Sequence, residues 1–205
     1  MVTVNLKGLV DEVIDSVISG FDPEEPGSFE RWDLELQMVE DSVRNSLSKL
    51  DPLVLPSVCA QRIGIASEAG KPDLVSERSA RFLCEFSRTV PSFSWVALLR
   101  LDALHALGRH TQEINEGLQI AREPELHGGE YITLLSSLAT RHPGCLPADK
   151  ALWQKLQRSL GDLRAQGYNT LPRTSDGPIQ LEETAGRAAD ELRRVNRMRG
   201  EALLG

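Results

Sequence analysis

The stretch Pro91–Glu125, P-S-F-S-W-V-A-L-L-R-L-D-A-L-H-A-L-G-R-H-T-Q-E-I-N-E-G-L-Q-I-A-R-E-P-E, decides the fold class. Its first half distributes Trp95, Val96, Leu98, Leu99, Leu101, Leu104, Ala106 and Leu107 around nearly every side of a helix. A helix apolar all round has to be covered on more than one face, so Trp95 is expected to be largely buried between neighbours. The second half is narrower. Ile114, Leu118 and Ala121 share one stripe, with Gln112, Glu113, Asn115, Glu116 and Gln119 outside it. Gly108 stands between the halves, where the first helix can end on a left-handed residue. The stretch therefore predicts a helix, a tight turn and a partner helix: one helical hairpin.

The same grammar continues outward. Residues 4–19 place Leu6, Val10, Val13, Ile14 and Val17 at helical spacing, opposite Lys7, Asp11, Glu12 and Asp15. That acidic polar face suits packing on protein better than lying on a membrane, where Lys and Arg are favoured. Pro23, Pro26 and Gly27 end this helix, and a second runs from about Phe29 to Lys49 with Trp32, Leu36, Val39, Val43, Leu47 and Leu50 on one stripe. Asp51-Pro52 reads as a helix start, with Pro56 as a second one. That helix stops at Gly70, and Pro72-Asp73 opens the next, through Leu74, Val75, Phe82, Leu83 and Phe86. Beyond the hairpin, one apolar helix carries Tyr131, Ile132, Leu134, Leu135 and Leu138, closed by His142-Pro143-Gly144. Another starts at Pro147 and ends at Gly167. The last, about Ile179 to Leu203, aligns Leu181, Ala185, Ala188, Leu192, Val195 and Ala202, with Arg199 interrupting. The expectation is an all-α chain of about nine helices. Its parts are an acidic helical segment 1–50, a core 51–166, a linker 167–178 and a terminal helix 179–205.

Residues 1–50 hold 11 acids and 4 bases (4 − 11 = −7), which accounts for the whole net charge of −7. An acidic amino-terminal segment argues against nucleic acid or anionic lipid as its partner. No apolar run reaches the roughly 18 residues of a membrane span, and no signal segment is visible. Cys59, Cys84 and Cys145 are an odd number without close pairing, the first two inside helices among apolar neighbours. A reducing cytoplasm is the expected setting.

Residues 57–166 resemble a tetratricopeptide-repeat array. The resemblance rests on the recurrence of apolar helix, glycine turn, second helix and proline, with a hairpin of about 34 residues. The turns A-G-K-P-D-L-V (Ala69–Val75) and L-G-R-H-T-Q-E (Leu107–Glu113) stand 38 residues apart (107 − 69), and Pro91 and Pro124 stand 33 apart (124 − 91). Leu101 and Glu113 occupy positions where such repeats usually carry a small residue. The resemblance implies antiparallel hairpins stacked as a short solenoid, with extra helices at both ends. It further implies a groove that receives a protein segment. The layout is also similar to that of the small acidic cytoplasmic chaperones of bacterial secretion systems.

No catalytic, cofactor-binding or metal motif emerges. His105 and His110 flank the Gly108 turn at i,i+5, a poor ligand spacing on one helix. His142-Pro143-Gly144-Cys145 offers two zinc ligands without a matching second pair. His127-Gly128-Gly129-Glu130 reads as a helix boundary. Glu24-Glu25 and Glu40-Asp41 read as solvated surface, and phosphate loops, nucleophile elbows and H-E-x-x-H are missing. Arg187, Arg193, Arg194, Arg197 and Arg199 are balanced by Glu182, Glu183, Asp190, Glu191 and Glu201, which favours a charged solvent face over a phosphate site. A contact to the acidic segment is a third option. The expected function is a non-enzymatic scaffold or chaperone that binds a protein segment, with a homodimer through the terminal helices as a further option. The alternatives are an enzyme with a dispersed site, and a structural subunit or immunity-type inhibitor using its whole surface. The binding residues themselves have no signature in the sequence.

Overall fold

The computed structural model describes residues 6–45, 52–171 and 179–198. Among them the chain is all-α, with nine helices: α1 Leu6–Gly20, α2 Ser28–Asn45, α3 Val54–Glu68, α4 Pro72–Glu85, α5 Phe93–Ala106, α6 His110–Ala121, α7 Gly128–Arg141, α8 Lys150–Ala165 and α9 Leu181–Met198. One short antiparallel bridge pairs β1 Thr170–Leu171, inside the expected linker, with β2 Ile179–Gln180 just beyond it. None of the described helices is long and apolar enough to cross a membrane.

The helix ends follow local chemistry. Gly70, Gly108 and Gly167 adopt φ values of 63°, 68° and 80°, the left-handed region that lets a chain leave a helix without a Cβ clash. After Gly70, Lys71 N–H donates to Ala66 C=O at 2.9 Å, and after Gly108, Arg109 N–H donates to Leu104 C=O at 2.8 Å. Both are the six-residue closing bond of a glycine-terminated helix. Pro72 opens α4 as its first residue, where a missing N–H costs nothing. Two starts differ from expectation. Pro52 lies in the turn before α3, and Pro56 sits within its first turn. Helix α8 begins at Lys150 rather than Pro147, because Asp149 caps it by accepting the Ala151 N–H at 2.9 Å. The readings placed on Leu47, Lys49, Leu50, Asp51, Arg199, Glu201, Ala202 and Leu203 lie outside the described residues.

The chain divides into two compact units, Met1–Arg109 and His110–Gly205, so the boundary falls within the hairpin stretch. In the first unit α2 packs on α3, α3 on α4 and α4 on α5, and α3 also meets α5. Its core joins Val10 and Val17 of α1, Leu36 and Val43 of α2, Val58 and Ile63 of α3, Val75 and Phe82 of α4, and Val96 and Leu99 of α5. Burying each such side chain contributes about 1.5–3 kcal/mol. Trp95 departs from expectation. It is half-buried and lies along α3, where the side of its ring occupies the space a Cβ on Gly64 would need. Trp32 stands in the same relation to Gly20, to whose carbonyl its indole N–H donates at 3.1 Å. Cys59 is buried as expected, whereas Cys84 is exposed on α4.

The second unit is built around α7, which packs against α6, α8 and α9. Tyr131, Ile132, Leu134, Leu135 and Leu138 are fully buried there. The Tyr131 hydroxyl donates to Leu152 C=O at 2.9 Å, so its polar end is satisfied. Leu181, Ala185, Ala188, Leu192 and Val195, the seam expected along the last helix, are all buried, and α9 packs on α7 and α8 of its own chain. On α6 the buried face is Glu113, Gly117 and Ala121, with Ile114 and Leu118 only half-buried. The buried stripe is thus turned by one residue from the apolar one, and it carries a carboxylate inward.

Candidate functional site

Three features of the two units have chemistry to offer. The first is the outer face of α2. Its inner stripe, Leu36, Glu40 and Val43, is buried, and this leaves Leu34 and Met38 on the outside at 58% and 55% exposure. They stand four residues apart, one turn along the same face. Ile18, near the end of α1, is 63% exposed. The segment also carries exposed acids, among them Asp11, Glu12, Asp15, Glu24, Glu25, Glu30 and Asp41, and of these Glu30 and Asp41 stand about one turn from Leu34 and Met38 along α2. An apolar pair rimmed by charge is a recurrent sign of an interaction surface.

The second feature lies on the inner side of α2. Arg78 of α4 makes a two-pronged bond to Asp33, 2.7 Å to each oxygen. Arg62 of α3 donates to Asp33 at 3.1 Å and to Glu40 at 2.7 Å, and Arg44 donates to Glu40 at 2.9 Å and to Glu85 at 2.5 Å. Burial alone would raise the Asp33 and Glu40 carboxyls. The hydrogen bonds and charges of Arg78 and Arg62, and of Arg62 and Arg44, outweigh it and hold both below their ordinary values. Glu40 is therefore a buried member of an ion network tying α2 to α3 and α4, a correction to its reading as solvated surface, whereas Asp41 is exposed as expected. The network has the character of structure rather than of a reactive centre, because each described carboxylate in it is already met by a guanidinium.

The third feature is in the second unit. Glu113 projects inward from α6 and is 0% exposed. Its Oε2 lies 2.7 Å from His142 Nε2 and 3.7 Å from His110 Nδ1, and its Oε1 accepts from Arg141 Nη1 at 3.2 Å. The His110 and His142 rings stand 5.2 Å apart, centroid to centroid, tilted by 58°. The spacing of His110 and Glu113, i and i+3, puts both on one face of α6. Arg141 and His142 come from the end of α7, where His142 is the residue that closes the helix. Two imidazoles and a guanidinium offset the desolvation of a buried carboxylate.

The remaining residues singled out in the sequence fall as follows. His105 lies half-buried on the last turn of α5, in the first unit. Cys145 is not joined to His142 through side chains; its Sγ faces Leu138 C=O at 3.6 Å, and burial pushes the thiol up to about 11. His127 is exposed at the start of α7, where Gly128 N–H donates to Ser159 Oγ at 3.1 Å. Arg187, Arg193 and Arg194 pair along α9 with Glu183, Asp190 and Glu191, and Arg193 also covers the Trp153 ring at 5.3 Å. Leu34 and Met38 have no motif of their own, and the one signal for them in the sequence is that both fall off the Trp32–Leu36–Val39–Val43 stripe. Glu113 likewise lies off the apolar stripe of its helix. The i,i+3 pairing with His110 was the available signal, but its completion by His142 needed the α6–α7 contact. No family model, curated protein or solved structure matches the chain.

Proposed function

We propose that this chain is a non-enzymatic protein-interaction module, a scaffold or chaperone of tetratricopeptide-like plan working in a reducing cytoplasm. It receives a basic amphipathic segment of a partner protein. The observation that carries the reading is the Leu34–Met38 pair, exposed on α2 with Glu30 and Asp41 about one turn away, in a segment whose exposed charges are mostly acidic. A segment with alternating leucines and lysines or arginines meets both features: its apolar side covers Leu34 and Met38, and its charges face the acids. The same acids oppose nucleic acid. Helix order in the first unit supports the repeat-like plan. There α3 meets both α4 and α5, and the small residue Gly64 admits Trp95 at the α3–α5 crossing, as repeat helices use small residues to approach.

A displayed peptide library selected against the full chain tests this reading. Enriched peptides are expected to combine Leu, Ile or Phe with Lys and Arg, and to lose about 10-fold or more in affinity when Leu34→Ser and Met38→Ser are combined, a change of 1.4 kcal/mol or more. Enrichment of acidic peptides, or binding indifferent to the double substitution, overturns it. A second copy of the chain on this face would instead show as a dimer in sedimentation that the same substitutions dissolve.

A further inference from the structure

We propose that His110, Glu113 and His142 form a binding site for one divalent first-row transition ion, of which Zn²⁺ is the best fit. The donor set is two imidazole nitrogens and one carboxylate oxygen, the combination that suits zinc and its neighbours rather than Ca²⁺ or Mg²⁺. The three ligand atoms lie within 4.8 Å of one another, close enough for one ion to reach all of them. With bonds of about 2.05 Å, the edges of a tetrahedron are about 3.3 Å. His142 Nε2 and Glu113 Oε2, now 2.7 Å apart, have to open by about 0.6 Å, and His110 Nδ1 and Oε2, now 3.7 Å apart, have to close by about 0.4 Å. Small side-chain rotations supply both movements, because His110 is 53% exposed and stands at the first residue of α6.

The surroundings resemble those of a metal ligand set. Arg141 holds Oε1 of Glu113 at 3.2 Å, which fixes the carboxylate and leaves Oε2 toward the histidines, the part an outer-shell group plays. Glu113 and His142 are 0% and 12% exposed and His110 is 53% exposed, so the site is reached from solvent on the His110 side. The positive charge of Arg141 so near the ion weakens the site, which makes it exchangeable rather than permanent. An ion held there joins the start of α6 to the end of α7. The site goes beyond the partner-binding reading, because it lies in the other unit and shares no residue with α2.

The experiment uses the full chain, stripped with a chelator and titrated with Zn²⁺ by calorimetry and with Co²⁺ by absorption. One equivalent is expected to bind, with Co²⁺ bands of a nitrogen- and oxygen-ligated ion and no thiolate charge-transfer band. His110→Ala and His142→Gln are each expected to cost more than the roughly 10–100-fold typical of an outer-shell change. Cys145→Ser is expected to bind as the parent does. His110 is half exposed, so its substitution leaves the fold intact and carries the test even if His142→Gln fails to fold. The proposal is overturned if the parent binds no stoichiometric Zn²⁺, or if His110→Ala binds equally well. It is also overturned if a thiolate band appears and Cys145→Ser removes it, since the ion would then sit on His142 and Cys145.

Discussion

Gly64→Ala tests the packing of the first unit at one atom. A Cβ at position 64 would lie 2.7 Å from Cη2 and 3.2 Å from Cζ2 of Trp95, closer than carbon atoms approach without something moving. The indole is a rigid plate wedged between α5 and α3, so it has to swing as a whole. Overpacking of this kind costs about 1–3 kcal/mol. Against it stands the helix preference of alanine over glycine, about 1 kcal/mol in a helix interior. Taking about 2 kcal/mol for the clash, the net loss is about 1 kcal/mol. Gly161→Ala on α8 is the matched control, because nothing lies within 4 Å of its Cβ and its φ is ordinary. There only the propensity gain remains, about 0.5–1 kcal/mol of added stability. Urea unfolding reads both. Trp153→Phe confines tryptophan fluorescence to Trp32 and Trp95 for the first unit, and combining Trp32→Phe with Trp95→Phe leaves Trp153 to report the second. In a Trp95→Leu background Gly64→Ala is expected to change sign and stabilise, giving a coupling of about 2 kcal/mol between the two positions. If Gly64→Ala stabilises the parent as much as Gly161→Ala does, the indole does not lie on Gly64 and the reasoning fails.

Two further outcomes follow from the same packing. Asp33 and Glu40 titrate lower in the folded chain than their ordinary values of 3.8 and 4.5, so the stability they contribute is fully present above those values and is lost as pH falls through the lowered ones. Unfolding of the first unit followed between pH 6 and pH 3 (roughly) should show this decline, and Asp33→Asn should flatten it while lowering stability at neutral pH; an unchanged slope refutes the network's role. Leu192→Asp, at a position fully buried against α7 and α8, should cost at least the roughly 2–5 kcal/mol of a leucine truncation and free α9. Limited proteolysis between Gly167 and Leu181 should then accelerate, and cutting at the parent's rate would mean that the seam does not hold the helix.

What the sequence determined by itself was local. The turns at Gly70, Gly108 and Gly167, the start of α4 at Pro72 and the seam of α9 all depend on residues within one or two turns of one another, so spacing and backbone preference were sufficient to place them. The all-α class followed from the same signals. Tertiary structure decided which side of each helix is inside. Glu113 and Glu40 read as polar positions on an outer face, yet both are buried, because Arg141 and His142 at the end of α7, and Arg62 from α3, arrive to pair with them. A charge is buried or exposed according to partners distant in the chain, and helical periodicity holds no information about those. The same is true of Leu34 and Met38, which stay outside because Leu36, Glu40 and Val43 claim the inner stripe of α2. Trp95 has the apolar character that predicts burial, but only the position of α3, with no side chain at Gly64, determined how far the ring could enter.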